Sequence, residues 1–262
     1  MTTSTDLFSV EGKTVLITGG TRGIGYMLAE GFLRRGARVY ISSRKVEACE
    51  SAAAQLAPLG EVTAVACDVG RPQDCEALIE EITARESALH VLINNAGATW
   101  GAPLDDFPGS AWDKVLTVNV KAPFMLAQLA RPLLEKAAAE GDPARILNIG
   151  SIDGLVVPSF ENYSYSSAKA GAHHLTRHLA SALSPSILVN AIAPGAFPTK
   201  MLAKALEEKG DELREATAVG RIGDPDDIVG AAIYLSSRAS SFVTGAVLPV
   251  DGGLSTTVGA AI

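Results

Sequence analysis

The chain has 262 residues, 47% of them hydrophobic but only 5% aromatic, so it is long enough to bury a sizeable core built mainly from aliphatic side chains. A formal net charge of −7 argues against a nucleic-acid surface and against a polybasic membrane patch.

In chain order, residues 1–9 are polar, lack the apolar core of a signal peptide and read as a flexible tail. Lys13 to Thr18 is a short apolar, β-branched run that predicts a buried strand. It runs into Gly19-Gly20-Thr21-Arg22-Gly23-Ile24-Gly25, after which Met27, Leu28, Phe32 and Leu33 recur at helical spacing up to Gly36. A second strand is expected at Ala37–Ile41, with a helix to about Ala57. A third spans Val62–Cys67, with a helix from Pro72 to about Arg85. A fourth, Leu89–Ile93, ends in Asn94-Asn95-Ala96-Gly97, and a long helical region follows from about Ser110 to Ala139. Strands at Arg145–Ile149, Ile187–Ala193 and Gly245–Val250 complete the set. Between them lie a helix over Tyr163–Leu183, two short helical stretches within Lys200–Leu206 and Asp211–Ala216, and a helix from Pro225 to about Ser236.

Strands and helices alternate throughout, and the strands are rich in Val and Ile on both faces. That pattern predicts an α/β fold: one doubly wound domain over residues 1–262, with a mostly parallel seven-stranded sheet covered by helices on both sides. Ligands in such sheets bind at the carboxyl ends of the strands, where the polar motifs fall. Cys49, Cys67 and Cys75 have no C-x-x-C spacing and read as free thiols in a reducing cytosol. His173, His174 and His178 have no carboxylate or cysteine at ligand spacing, so they read as surface and packing residues, and no metal is expected. No apolar run approaches a membrane span, and the expected location is cytoplasmic.

Strand, glycine turn and helix form the context in which a glycine motif binds a pyrophosphate. Gly19, Gly23 and Gly25 allow a tight turn and a close approach to a helix N-terminus. After the second strand, an acidic residue would hold a ribose 2′-hydroxyl; Ser42, Ser43 and Arg44 stand there instead, with Arg22 in the glycine turn. Two guanidiniums and two hydroxyls suit a 2′-phosphate, which predicts NADP(H). Tyr165 and Lys169 lie four apart, on one helical face, where the ammonium is expected to lower the phenol's pKa and make it a general acid/base.

Taken together, Thr18–Gly25, Asn94–Gly97, Asn119, Ser151, Tyr165 with Lys169, and Pro194-Gly195 resemble the short-chain dehydrogenase/reductase family over nearly the whole chain. Within it, the stretches 98–101, 148–151 and 194–198 resemble the 3-oxoacyl-[acyl-carrier-protein] reductase branch, in particular the rhamnolipid-biosynthesis type. The resemblance implies a catalytic set of Asn119, Ser151, Tyr165 and Lys169. Tyr165 would protonate the carbonyl oxygen, Ser151 would orient it, and Lys169 would hold the nicotinamide ribose. Asn119 would interrupt its helix and hold a water that relays protons. Tyr165 lies one position farther from Ser151 than in many members of the family. Tyr163 is the competing tyrosine, but it sits six residues before Lys169, on the wrong side of a helix to share that lysine.

For the cofactor, the resemblance implies contacts from Gly19, Thr21, Arg22, Gly23, Ile24, Gly25, Ser43 and Arg44. Asp68 would take the adenine amino group, with Val69 backing the ring; Asp68 could also cap the helix starting near Pro72. Asn95, Ala96 and Gly97 would lie along the cofactor and steady the sheet. Pro194, Gly195, Phe197 and Thr199 would complete the site beside Tyr165 and Lys169, with Thr199 on the carboxamide. Residues 196–219 are the expected substrate lid. Ser151, Trp100, Tyr163, Phe197 and Met201 are the candidate substrate contacts, with Leu202 as a further apolar one.

The activity implied is NADPH-dependent reduction of a ketone, foremost a 3-oxoacyl thioester. The alternatives are a dehydrogenase of a small polyol, sugar acid or other secondary alcohol, and a non-catalytic NADP(H) sensor. Expected partners are the small-molecule or thioester substrate, an acyl carrier protein docking on a local patch such as Arg131 and Lys136, and further copies of the chain in a tetramer.

Overall fold

A computed structural model describes residues 6–199 and 202–257, and only the backbone of 203–206 and 208–209. Seven strands form one sheet: β1 (Thr14–Thr18), β2 (Arg38–Ser43), β3 (Val62–Ala66), β4 (Val91–Asn94), β5 (Ala144–Ile149), β6 (Ile187–Pro194) and β7 (Val247–Val250). Their order is β3-β2-β1-β4-β5-β6-β7, and every pairing is parallel. The chain therefore winds outward from β1 in one direction and from β4 in the other, and the crevice between those strands opens at their carboxyl ends.

Strand side chains alternate between two cores. Val15 and Ile17 of β1 face one side, with Leu28, Ala29, Phe32 and Leu33 of α1 (Gly23–Leu33), Leu56 of α2 (Val46–Leu56) and Ile228, Val229 and Ala232 of α8 (Pro225–Ser236). Leu16 faces the other, with Leu78 and Ile82 of α3 (Pro72–Arg85), Leu126, Leu133 and Leu134 of α5 (Ala122–Ala137) and Leu179 of α6 (Tyr163–Leu183). Burial on both faces explains why these strands are continuous apolar runs with no polar alternation. The helix starts are marked chemically: Pro72 opens α3, and Asp224 and Asp227 cap the start of α8 reciprocally.

The long helical region expected over Ser110–Ala139 is α4 (Gly109–Leu116), a π-helical turn (Thr117–Lys121) and α5, with the expected interruption at Asn119. Two expectations change. The two short helices after β6 are one, α7 (Ala203–Glu215), because the run carries no helix-breaking proline and Gly210 is tolerated within it. Residues 6–9 are not a loose tail: the Ala239 amide donates to the Leu7 carbonyl at 2.9 Å, and the Phe8 ring lies 6.4 Å from that of Tyr234. Among the described residues no helix is long and apolar enough to cross a membrane, and the three cysteines are free and buried.

Candidate active site

The turn after β1 needs its glycines. Gly19 and Gly23 have φ of 67° and 55°, which side-chain-bearing residues rarely adopt. A Cβ on Gly25 would stand 2.4 Å from both the Asn95 Nδ2 and the Gly19 carbonyl oxygen. Asn95 closes the crevice from the β4 side, its Nδ2 donating to the carbonyls of Thr18 (2.9 Å) and Gly19 (3.1 Å). The Thr18 hydroxyl in turn accepts from the amides of Asn95 and Ala96, each at 3.1 Å. The first turn of α1 thus packs directly on the Gly19 carbonyl and the Asn95 amide with no room for a side chain on Gly25, as a close-packed phosphate cradle requires. Thr21, Arg22 and Ile24 lie in this turn, with Arg22 exposed. The Thr199 side chain lies over it, within 3.4 Å of where a Cβ on Gly23 would be.

At the end of β2, Ser42 is fully buried and its hydroxyl has no hydrogen-bond partner, while Ser43 is half-buried. Arg44 is exposed, and neither it nor Arg22 makes an ion pair among the described residues. Cations without partners at this edge fit an anionic group. The Asp68 side chain does not cap α3; the capping position before Pro72 is Arg71, with no side-chain cap. Instead the Asp68 carboxylate accepts from the Gly70 amide at 3.0 Å, a local turn, and Val69 is buried in the core beside it.

The other half of the crevice holds the ionisable groups. Lys169 is 5% exposed, donates from Nζ to the Ile149 carbonyl at 2.8 Å, and lies 5.5 Å from the centre of the Tyr165 ring. Burial lowers its pKa to about 8, partly offset by Asp153. Tyr165 is half-buried as a residue, but its hydroxyl is crowded by protein. Burial pushes that phenol up to about 12, the Ser151 hydroxyl pulls it back in part, and Asp153 adds to the rise. The expected lowering of the Tyr165 pKa by Lys169 is therefore corrected. Desolvation dominates the phenol, and the Lys169 Nζ is turned to the Ile149 carbonyl.

Asn119 sits on the π-turn and is buried, its Nδ2 donating to the carbonyls of Ala98 (2.7 Å) and Val115 (2.9 Å). Its Oδ1 has no protein partner and faces Gly97, where an added Cβ would be 3.1 Å from that oxygen and 3.9 Å from Lys169 Nζ. Pro194 ends β6, and Gly195 passes so close to Asp251 that a Cβ there would meet its Cα at 2.8 Å.

Among the expected substrate contacts, Trp100 is 44% exposed beside this crevice. The Tyr163 ring packs edge-on to Phe107 at 5.5 Å, with its hydroxyl at the surface near Glu161, away from the Lys169 face. Phe197 is corrected: it is 3% exposed, and its ring fills the space over Gly223 in the core, so it offers no wall to a pocket. Met201 lies outside the described residues. Arg131 is engaged by Glu135 at 2.7 Å, which reduces its value as a docking cation.

Sequence reasoning passed over Asp153 and Asn162, and read His173 only as a surface or packing residue. Asp153 follows Ser151 by two and is half-buried, with its carboxylate accepting from Asn162 Nδ2 at 2.8 Å. His173 is buried, and burial, then Lys169, hold its pKa down to about 4, offset in part by the Gly154 backbone. The available signal was an acid at the head of the otherwise apolar run Gly154-Leu155-Val156-Val157.

A family model described as enoyl-(acyl carrier protein) reductase matches residues 19–255. The rhamnolipids biosynthesis 3-oxoacyl-[acyl-carrier-protein] reductase of Pseudomonas aeruginosa is 39% identical, over 94% of this chain and 97% of that one. The gluconate 5-dehydrogenase of Gluconobacter oxydans is 37% identical, over 95% and 97%. The solved RhlG/NADP active-site complex from Pseudomonas aeruginosa superposes with a TM-score of 0.91 at 38% identity, over 95% and 98% of the two chains. A gluconate 5-dehydrogenase from Burkholderia cenocepacia in complex with NADP and tartrate gives 0.89 at 33% identity, over 97% and 99%. With its fold, its site and these likenesses, the chain belongs to the short-chain dehydrogenase/reductase family and is an oxidoreductase of that family.

Proposed function

We propose that the protein reduces a ketone to a secondary alcohol with NADPH, the ketone being the 3-oxo group of an acyl thioester. The observation that carries this reading is the meeting of Ser151, Tyr165 and Lys169 at the carboxyl end of β5, across the crevice from a glycine turn flanked by unpaired Arg22 and Arg44. Arg22, Ser43 and Arg44 would hold the 2′-phosphate, the Gly19–Gly25 turn the pyrophosphate, Asp68 and Val69 the adenine, and Asn95–Gly97, Pro194, Gly195 and Thr199 the nicotinamide end. The bound cofactor supplies a hydride to the carbonyl carbon.

Tyr165 then gives its phenolic proton to the carbonyl oxygen. A phenol held near 12 is fully protonated at neutral pH, the form that reduction requires. Ser151 Oγ already accepts from the Asp153 amide at 3.2 Å, which leaves its own proton free to donate to the same oxygen. Lys169, charged below about pH 8, stabilises the phenolate left behind, and the open Oδ1 of Asn119 offers the acceptor through which protons return to the lysine.

Support for an acyl chain comes from exposed apolar residues on the loops around the crevice: Trp100, Leu155, Val156, Val157 and Phe160. The two loops are tied together where the Ala102 amide meets the Glu161 carbonyl at 3.1 Å. They offer a polyol few hydrogen-bond partners and an aliphatic chain a surface. The gluconate 5-dehydrogenase relatives favour the second reading, a sugar acid or small secondary alcohol. The test is NADPH oxidation with 3-oxoacyl thioesters of increasing length, on coenzyme A and on acyl carrier protein, against small ketones and keto-sugar acids. Turnover rising with chain length supports the thioester reading; turnover confined to keto-sugar acids replaces it. Light scattering at working concentration tests the proposed tetramer, and a carrier-protein rate above the coenzyme A rate tests the proposed docking partner.

A further inference from the structure

The turn Ile152–Gly154 follows β5 directly and carries Asp153. The Asp153 amide donates to Ser151 Oγ at 3.2 Å, and its carboxylate accepts from Asn162 Nδ2 at 2.8 Å. Asn162 is the residue at which α6 starts; its carbonyl accepts from the amides of Tyr165 (2.8 Å) and Ser166 (3.1 Å). A single acidic residue thus joins the turn that presents Ser151 to the first turn of the helix that presents Tyr165. The same turn is pressed onto Lys169. A Cβ on Gly154 would stand 2.6 Å from the Lys169 carbonyl carbon and 2.7 Å from the Ala170 nitrogen. Ser151, Asn162 and Lys169 are all buried, so little water stands between the charges there.

We propose that Asp153 is a positioning residue for the reaction: through Asn162 it fixes the separation of Ser151 and Tyr165, and as a carboxylate it keeps one negative charge beside Lys169 and the phenol. This rests on the reading of Ser151, Tyr165 and Lys169 given above.

The surroundings leave that charge little competition. Facing the turn from α6 are Lys169, Tyr165 and His173, and the imidazole is neutral near pH 7. Strand β6, which also packs against the turn, carries no ionisable side chain from Ile187 to Pro194. Glu161, the nearest other acid along the chain, is exposed. Burial pushes the Asp153 carboxyl up, while the Asn162 amide and Lys169 hold it down. In return Asp153 favours the proton-bearing forms of both Lys169 and Tyr165. The consequence is a site biased to give a proton, as ketone reduction needs.

Two variants separate tie from charge. Asp153→Asn keeps an oxygen for Asn162 and removes the charge. The alkaline limb of kcat/KM for reduction is expected to move to lower pH by about one unit, the scale of a close charge in a shielded site. Asp153→Ala removes both, and kcat is expected to fall roughly ten- to hundredfold, as for a small misplacement of reacting groups, with the NADPH dissociation constant unchanged. The same pair is read without substrate by ultraviolet difference titration of the phenol, with Tyr165→Phe as the blank; tyrosinate is expected at lower pH in Asp153→Asn than in the wild type. A wild-type pH profile and a wild-type tyrosinate titration in Asp153→Asn overturn the charge assignment even if Asp153→Ala does not fold. Wild-type kcat in Asp153→Ala overturns the tie. Should no carbonyl be reduced by the wild type, the reaction reading fails while the phenol titration still decides the influence of Asp153.

Discussion

The two sides of the crevice solve different problems with opposite materials. On the β1–β2 side, the proposed recognition rests on what is absent or wet: a turn whose glycines leave backbone bare, and two arginines in water. On the β5–α6 side, chemistry rests on what is dry: a lysine, a phenol and an acid crowded together so that burial dominates each of their pKa values. A solvated guanidinium can meet a phosphate at little desolvation cost, whereas a proton donor must be withdrawn from water to have its affinity set by its neighbours. Binding and turnover should therefore be separable by mutation.

The sharpest separation comes from Tyr165→Phe. It should lower kcat by roughly a hundred- to ten-thousandfold while leaving NADPH affinity near wild type, read by single-turnover kinetics and fluorescence titration. Near-normal turnover would remove Tyr165 from the proton path. From the other side, Gly25→Ala forces a methyl to 2.4 Å from the Asn95 amide and the Gly19 carbonyl. It should cost about 1–3 kcal/mol in denaturant unfolding and weaken NADPH binding, without shifting the pH profile of the residual activity. Equal stability and affinity would mean that the turn has room to spare. Arg44→Asp should be milder, raising the KM for NADPH on the order of tenfold or more while that for NADH changes little. Equal effects on both cofactors would make Arg44 an ordinary surface charge.

A further effect concerns stability alone. The Lys169 pKa is depressed in the fold, to about 8 from 10.5. The unfolded chain then binds more protons between those values, so this lysine's contribution makes the protein more stable as pH rises through that window. Below about pH 8 the buried charge is a steady cost. Lys169→Met should abolish this rise in a comparison of urea midpoints at pH 7 and pH 10. A rise of the same size in the variant would assign it to other groups.

The same division explains what could be read from sequence. Strand positions and the glycine turn were legible because they follow from local patterns: apolar runs closed by Gly19, Asn94 or Gly195. Arg44 stood out because an acid was missing from a known place. The dry side was legible only in outline. Spacing put Tyr165 and Lys169 on one face, but the direction of the phenol's shift depends on crowding and on Asp153, which no spacing reveals. Phe197 looked like a pocket wall because a loop phenylalanine after β6 was expected to face ligand; in space Gly223 leaves a hole that its ring fills. The docked residues 6–9 were hidden for the same reason, being settled by neighbours far along the chain.

The π-turn at Thr117–Lys121 has an evolutionary side. It holds one more residue than an α-helical turn would, and it lets Asn119 reach the Ala98 carbonyl while α4 and α5 run on with continuous backbone. Deleting a single residue there would heal the hydrogen-bond ladder and give a better helix. The widened turn takes up its extra residue locally, so α4 would keep Ala111 and Val115 in the core, but Asn119 would turn away from the Ala98 carbonyl and its open Oδ1 away from Gly97. A one-codon deletion that improves local geometry would therefore spare the fold and cost the crevice an open acceptor. The irregular turn is held in the chain by what it presents, and not by the helix it interrupts.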